Sequence, residues 1–262
     1  MTKKIALDAG HGLKTFGKQT PDGIKEWTLN NKVRGKVVSL LKDYDVEFIF
    51  PDNNEGNVDE TLANRRTVYV KEKVDAVVSI HHNAFTGKWN TKATGVEVYT
   101  DKNPTSEDQR LAVCIYNRLV SYTGMKGRGI KAEDWYIINQ DSIPAVLVEG
   151  GFMDNTYDYK IITSDAGQTA YAKAVAEGLI EFLGLEKKSQ STEPNAPFTV
   201  KVDIDDLNIR KGPGINYAKT GLKTGKGVFT IVEVKNGSGS KTGWGKLKSG
   251  TGWVSLDYTK RV

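Results

Sequence analysis

The stretch Asp75-Ala-Val-Val-Ser-Ile-His-His82 decides the fold class. Its Val and Ile residues favour extended backbone, and the run is too continuously apolar for a strand with one solvated face. It reads as a strand buried on both sides. A helical pattern from Thr61 to Lys73 precedes it, and the same alternation repeats in both directions. Upstream, Lys4-Ile-Ala-Leu7 is a short buried strand, followed by helical spacing through Trp27, Val33, Val37, Val38 and Leu41. Val46-Glu-Phe-Ile-Phe50 is the next strand, ended by Pro51. Downstream, Gly95-Val-Glu-Val-Tyr99 alternates as a strand, and Ser106-Glu-Asp-Gln109 reads as a capping box opening a helix with Leu111, Cys114, Ile115 and Leu119. Pro144-Ala-Val-Leu-Val148 is the last strand. A helix then opens at Ser164 or Asp165 and stops at Gly184. Strands alternating with amphipathic helices predict an α/β domain with a mostly parallel sheet and helices on both faces.

The 262 residues accommodate more than this one domain. Glu186-Lys-Lys-Ser-Gln-Ser-Thr-Glu-Pro-Asn-Ala-Pro197 has no large apolar residue and two prolines, which reads as a linker. The expected division is therefore 1–185, linker 186–197, and 198–262. The last segment shows short strands separated by glycine-rich turns, among them Phe198-Thr-Val-Lys-Val202, Val228-Phe-Thr-Ile-Val232 and Trp244-Gly-Lys-Leu247. That texture predicts a small all-β barrel or sandwich. Residues 196–262 carry twelve Lys/Arg against five Asp/Glu, a net of +7, which leaves −2 for residues 1–195. The excess positive charge favours a polyanionic surface. No apolar run approaches the ~20 residues of a membrane span. The single Cys114 rules out an intrachain disulfide and a cysteine metal cluster. After Met1-Thr-Lys-Lys4 only Ile5-Ala-Leu7 precedes Asp8, which is no export signal, so synthesis in the cytoplasm is expected.

The chain has three histidines, and each follows a strand: His11 the first, His81 and His82 the central one. Glu149 follows the last. Parallel strands present their carboxyl ends along one rim, where ligands bind in α/β sheets. Two imidazoles and a carboxylate are a ligand set for catalytic zinc, and Glu26, at the start of the first helix, is the best third ligand. Glu149 would then serve as a proton-transferring carboxylate. The same residues also suit structural histidines and a helix-start charge favoured by the macrodipole. The glycine spacing of Asp8-Ala-Gly-His-Gly12, which lacks a lysine, excludes Walker A and dinucleotide fingerprints.

Ile5-Ala-Leu-Asp-Ala-Gly-His-Gly12, Ser79-Ile-His-His-Asn-Ala84 and Ala145-Val-Leu-Val-Glu-Gly-Gly-Phe-Met-Asp-Asn155 resemble the three blocks of the zinc-dependent N-acetylmuramoyl-L-alanine amidases of the amidase-3 type, over about residues 1–184. The resemblance implies one Zn2+ held by His11, Glu26 and His81, with Glu149 as the catalytic carboxylate. It leaves His82 as a bystander or a substrate-side polar group. Leu207-Asn-Ile-Arg-Lys-Gly-Pro-Gly214 and Gly250-Thr-Gly-Trp-Val254 resemble bacterial SH3-like (SH3b) domains over 198–262. There Trp244, Trp253 and Tyr258 either stack on a ligand or fill the barrel, with Trp253 read as core and Tyr217 as the exposed ring.

Together these imply a phage or prophage endolysin whose partner is bacterial peptidoglycan, with anionic wall polymers attracting the basic segment, and neither nucleic acid nor membrane as a partner. It would act at the cell wall after release. Two other readings remain: a zinc endopeptidase cutting within the stem peptide, and a non-catalytic wall- or polyanion-binding protein. Arg128 and Lys131, read in a glycine-flanked loop, would contact an anionic substrate group or merely keep that loop solvated.

Overall fold

The computed structural model describes residues 2–139, 142–188 and 197–262. The chain divides into two compact units, residues 1–188 and 189–262.

The first unit is built on β1 (Lys3–Ala9), β2 (Val46–Ile49), β3 (Ala76–Asn83), β4 (Val96–Asp101), β5 (Gly127–Glu133) and β6 (Ala145–Phe152), in the sheet order β2-β1-β3-β6-β4-β5. Its helices are α1 (Glu26–Leu41), α2 (Leu62–Glu72), α3 (Ser106–Thr123), α4 (Asp158–Ile162) and α5 (Asp165–Leu183). All neighbouring strands pair in parallel except β4 with β6, which pair antiparallel. The sheet is therefore mixed, and β4 and β5 run against the other four. The physical reason lies in the connections. A parallel return needs a crossover of a dozen or more residues, usually a helix. The chain from β3 to β4 forms no helix and comes back reversed, whereas α3 carries β4 into a parallel β5.

Alternation along the strands sends residues to two unequal layers. Ile5, Leu7, Val78, Ile80, Val146 and Val148 pack with α1, α3 and α5 in the larger core. Ala6, Val77, Tyr99, Ala145 and Leu147 face the thinner layer, where Tyr69 of α2 and Ile137 and Ile138 cover them. The thin layer leaves the carboxyl-end rim on that face open. Cys114 belongs to the larger core. Gly178 lets α5 approach α3 closely, since a Cβ there would lie 2.7 Å from Ile115.

Several local expectations shift. The capping box of α3 is formed by Thr105 and Asp108, one residue before the expected Ser106–Gln109 pair. Arg128 and Lys131 stand on strand β5, not in a loop; its mostly polar sequence, with two glycines, hides it from hydrophobic patterning. Glu186 and Lys188, read as the start of the linker, still bond to the first unit: Asp45 N donates to Glu186 O at 3.0 Å and Lys188 N to Asp43 O at 2.7 Å. Residues 189–196 of that linker lie outside the described residues.

The second unit is one antiparallel sheet of β7 (Phe198–Val202), β8 (Asn208–Arg210), β9 (Lys219–Lys223), β10 (Gly227–Lys235), β11 (Trp244–Leu247), β12 (Trp253–Ser255) and β13 (Thr259–Arg261), in the order β13-β7-β10-β11-β12-β8-β9. Val200, Val202, Leu207, Ile209, Ile231, Leu247, Val254 and Leu256 form its core. Trp244 and Trp253 are buried, which favours the packing role for both, while Tyr217 and Tyr258 are exposed.

Candidate active site

His81, on β3, pairs in register with Glu149 on β6, and both point from the thinly covered face. Gly10, just beyond β1, completes the row. A Cβ at Gly10 would lie 2.0 Å from the His81 ring, so a glycine is required for that ring to lie across the chain. His11 follows with φ 65, a left-handed conformation costly for a residue with a Cβ. Glu26 enters from the other side of the sheet as the first residue of α1 and is 1% exposed.

The structure brings His11, Glu26 and His81 together: each offers a ligand atom within 4.8 Å of the others. His11 Nε2 is 3.4 Å from Glu26 Oε2, and His81 Nδ1 is 3.1 Å from Glu26 Oε1. Tetrahedral zinc with bonds of about 2.0–2.2 Å separates its ligands by about 3.4 Å, so the spacing and the donor types suit that ion. Burial lowers the His11 pKa to about 4 despite the pull of Glu26, which keeps the imidazole neutral, as a ligand must be. Burial pushes Glu26 up, but the hydrogen bond and charge of His81 and the charge of His11 outweigh it, holding this carboxyl at about 2. Burial would lower His81 as well, yet its contact with Glu26 raises it.

Behind the three residues stands a strut that sequence reasoning missed. His81 Nε2 lies 3.1 Å from Ser79 Oγ, which donates to Asp8 Oδ2. Asp8 Oδ1 accepts from Arg65 Nη1 at 2.6 Å, and Arg65 Nη2 donates to the His11 carbonyl at 2.8 Å. One buried guanidinium thus holds the backbone of His11 and, through Asp8 and Ser79, the ring of His81. The available signal was Asp8, a charge that directly follows the apolar run Ile5-Ala-Leu7 inside the buried part of β1.

His82 alternates to the opposite face and is 2% exposed. Its Nδ1 lies 2.8 Å from Asn30 Oδ1, its ring meets Tyr171 edge-on, and burial lowers it to about 4. A substrate-side role is thereby overturned. His82 instead supports the site from beneath: its backbone N–H donates to Glu26 Oε1 at 3.2 Å, and Asn30, which its ring meets, donates from Nδ2 to the Gly10 carbonyl at 3.1 Å.

Glu149 is 8% exposed, and its buried Oε2 has no hydrogen-bond partner among the described residues. Burial raises its pKa to about 8, with the opposing pull of His81 too weak to reverse the shift. A carboxyl poised near neutrality suits proton transfer in both directions. Glu149, His81, His11 and Gly10 line a cavity of about 680 Å3, bounded also by Lys18, Trp135 and Tyr136. Asp154 and Asn155, in the same sequence block, are structural. Asp154 accepts from the backbone N–H groups of Phe85, Thr86 and Gly87, and Asn155 Nδ2 donates to Ala93 O, which fastens the loop between β3 and β4.

The chain is 35% identical over 201 residues to the endolysin of Bacillus phage SPP1, covering 74% of this chain and 71% of that one. It is 30% identical over 178 residues to the uncharacterised protein YqiI of Bacillus subtilis, covering 68% and 83%. Among solved structures, the catalytic domain of CwlV, an N-acetylmuramoyl-L-alanine amidase from Bacillus (Paenibacillus) polymyxa var. colistinus, superposes with a TM-score of 0.64 at 27% identity, covering 70% of this chain and 99% of that domain. The fold is shared also with an N-acetylmuramoyl-L-alanine amidase of Clostridium difficile 630, with a TM-score of 0.65 at 24% identity, covering 70% and 97%. The family model described as N-acetylmuramoyl-L-alanine amidase matches residues 5–181, the whole span that builds this rim, and the chain belongs to that family.

Proposed function

We propose that the protein is a zinc-dependent peptidoglycan amidase of endolysin type, which cleaves the amide between the lactyl group of N-acetylmuramic acid and L-alanine. The observation that carries the reading is the convergence of His11, Glu26 and His81, whose two histidines line one open cavity together with a buried Glu149 that has an Oε2 unpaired among the described residues. His11, Glu26 and His81 would hold the ion, which when bound supplies Lewis acidity toward an amide carbonyl and activation of water. The chain's own residues do the rest. Glu149 Oε2 takes the proton that the attacking water gives up and returns it to the alanine nitrogen as the C–N bond breaks. The strut from Arg65 through Asp8 and Ser79 fixes the ligands, so little is lost to reorganisation during reaction.

The second unit, with its net positive charge, is proposed to hold the enzyme on the wall, attracted to anionic polymers, in the manner of an SH3b domain. Binding at two places raises the effective substrate concentration without altering the chemistry. The deciding experiment is mass spectrometry of peptidoglycan digested with and without a chelator. New L-alanine amino termini that vanish on chelation support the amidase; cuts inside the stem peptide would make it an endopeptidase, and no cut at all would leave only a binding protein.

A further inference from the structure

Glu97 on β4 stands directly opposite Glu149 on β6, and β5 flanks it on the other side. Its carboxylate is buried and fully engaged: Oε1 accepts from Asn83 Nδ2 at 2.7 Å and Tyr99 OH at 2.8 Å, and Oε2 accepts from Arg128 Nε at 2.7 Å and from Lys131 Nζ. Two cations therefore converge on one oxygen of a single anion. The cluster keeps a net charge of +1, with like charges side by side, an arrangement that a second carboxylate would relieve. The cations are also reachable, with side chains 31% and 36% exposed. Arg128 spends only Nε on Glu97. Among the described residues no hydrogen bond engages its two terminal amino groups, and its guanidinium lies over the Phe152 ring at 4.9 Å. That leaves a planar fork free for bidentate capture of a carboxylate.

Resting on the amidase reading, we propose that Arg128 and Lys131 form a subsite for the first free carboxylate of the stem peptide, so that the enzyme selects stems whose second residue is acidic over those in which it is amidated. Position argues for this. Across the rim the order is His81 on β3, Glu149 on β6, Glu97 on β4 and the cations on β5. Glu149 must reach the leaving nitrogen, which belongs to alanine, so the stem departs on the side of Glu149 away from the histidines, over β4 and β5. Two strand spacings place β5 about 10 Å from the Glu149 backbone. Two extended residues span about 7 Å, and the reach of an arginine side chain closes the rest. The second stem residue is linked through its side-chain carboxyl, which leaves its α-carboxyl free to meet that fork.

The test uses the full chain and two synthetic muramoyl peptides that differ only in that α-group, carboxylate or carboxamide. The wild type is expected to show kcat/KM higher for the acid by on the order of tenfold, chiefly through KM. Arg128→Gln should bring the ratio toward one and Arg128→Lys should keep part of it. Because each ratio is taken within one variant, any loss of folded protein cancels. A wild-type ratio near one, or a ratio unmoved by Arg128→Gln, overturns the subsite while leaving the amidase standing. Cleavage of neither peptide at the alanine bond removes both.

Discussion

Glu149→Gln separates catalysis from stability at one atom. Burial raises this carboxyl from 4.5 to about 8 and leaves Oε2 unpaired, so its ionisation opposes folding of the metal-free protein. The sign follows from linkage: the folded state holds the proton more tightly than the unfolded chain, so stability is full below about pH 4.5 and declines as pH rises to about 8. At about 1.4 kcal/mol per pKa unit, the ceiling on this loss is roughly 5 kcal/mol, and coupling to Glu26 and His81 brings the expected value to a few kcal/mol. Glutamine has nearly the same shape and no charge to desolvate. Urea denaturation of chelator-treated protein should therefore show the variant more stable than wild type at pH 8.5 and nearly equal to it at pH 5. The zinc-loaded variant should lose 10²–10⁴-fold in kcat on peptidoglycan, the range of general acid–base catalysis. Glu26 and the histidines titrate in both proteins, so the difference isolates position 149. A stability gap that is the same at both pH values would refute the claim that an ionised, unpaired carboxylate is held at this site.

Ser79→Ala should weaken zinc binding by 10–100-fold in a chelator competition, because the His81 ring loses the partner that orients it; an unchanged affinity would reduce the strut to packing. Gly10→Ala should abolish zinc binding while leaving the far-ultraviolet circular dichroism of the sheet intact, since the new methyl group occupies the space of the His81 ring. Truncation after Lys188 should leave cleavage of a soluble muramoyl peptide within about twofold of the full chain and reduce co-sedimentation with cell walls, with the loss largest at low salt; equal sedimentation of both forms would remove the targeting role.

The sequence made legible whatever depends on continuous apolar strands and on residues directly beyond them. β1 and β6 carry uninterrupted aliphatic runs and β3 one broken only by Ser79, and the residues following those runs include His11, His81 and Glu149. Glu26 was reachable because it opens a helix of clear period. What stayed hidden depends on partners distant in sequence. Arg65 lies in a helix otherwise read only as amphipathic, and nothing local says that it reaches Asp8 and the His11 carbonyl. Ser79 and Asp8 look like interruptions of apolar strands until the register sets them side by side. β9 and β13 were missed because neither alternates; most of their residues are exposed and polar.

The reversal of β4 and β5 explains the largest gap in that reading and gives it a functional meaning. In a wholly parallel sheet every strand brings its final residues to the ligand-binding rim, so a search of strand ends recovers the site. Here two strands run the other way and bring their beginnings there instead: Glu97 is the second residue of β4, and Arg128 the second of β5. Neither follows an apolar run, so neither is marked by one. The reversal also divides labour along the rim. Strands ending there supply His81 and Glu149, the imidazole and the carboxyl that the proposed chemistry uses, while strands starting there supply an ion-paired, net-cationic cluster beside them. The charge of Glu97 is among the causes that raise the Glu149 pKa, and Glu97 alone at this end would repel the acidic stem proposed above. Two cations on that one carboxylate leave the cluster net positive, which on the proposed reading would let an anionic stem approach close to Glu149.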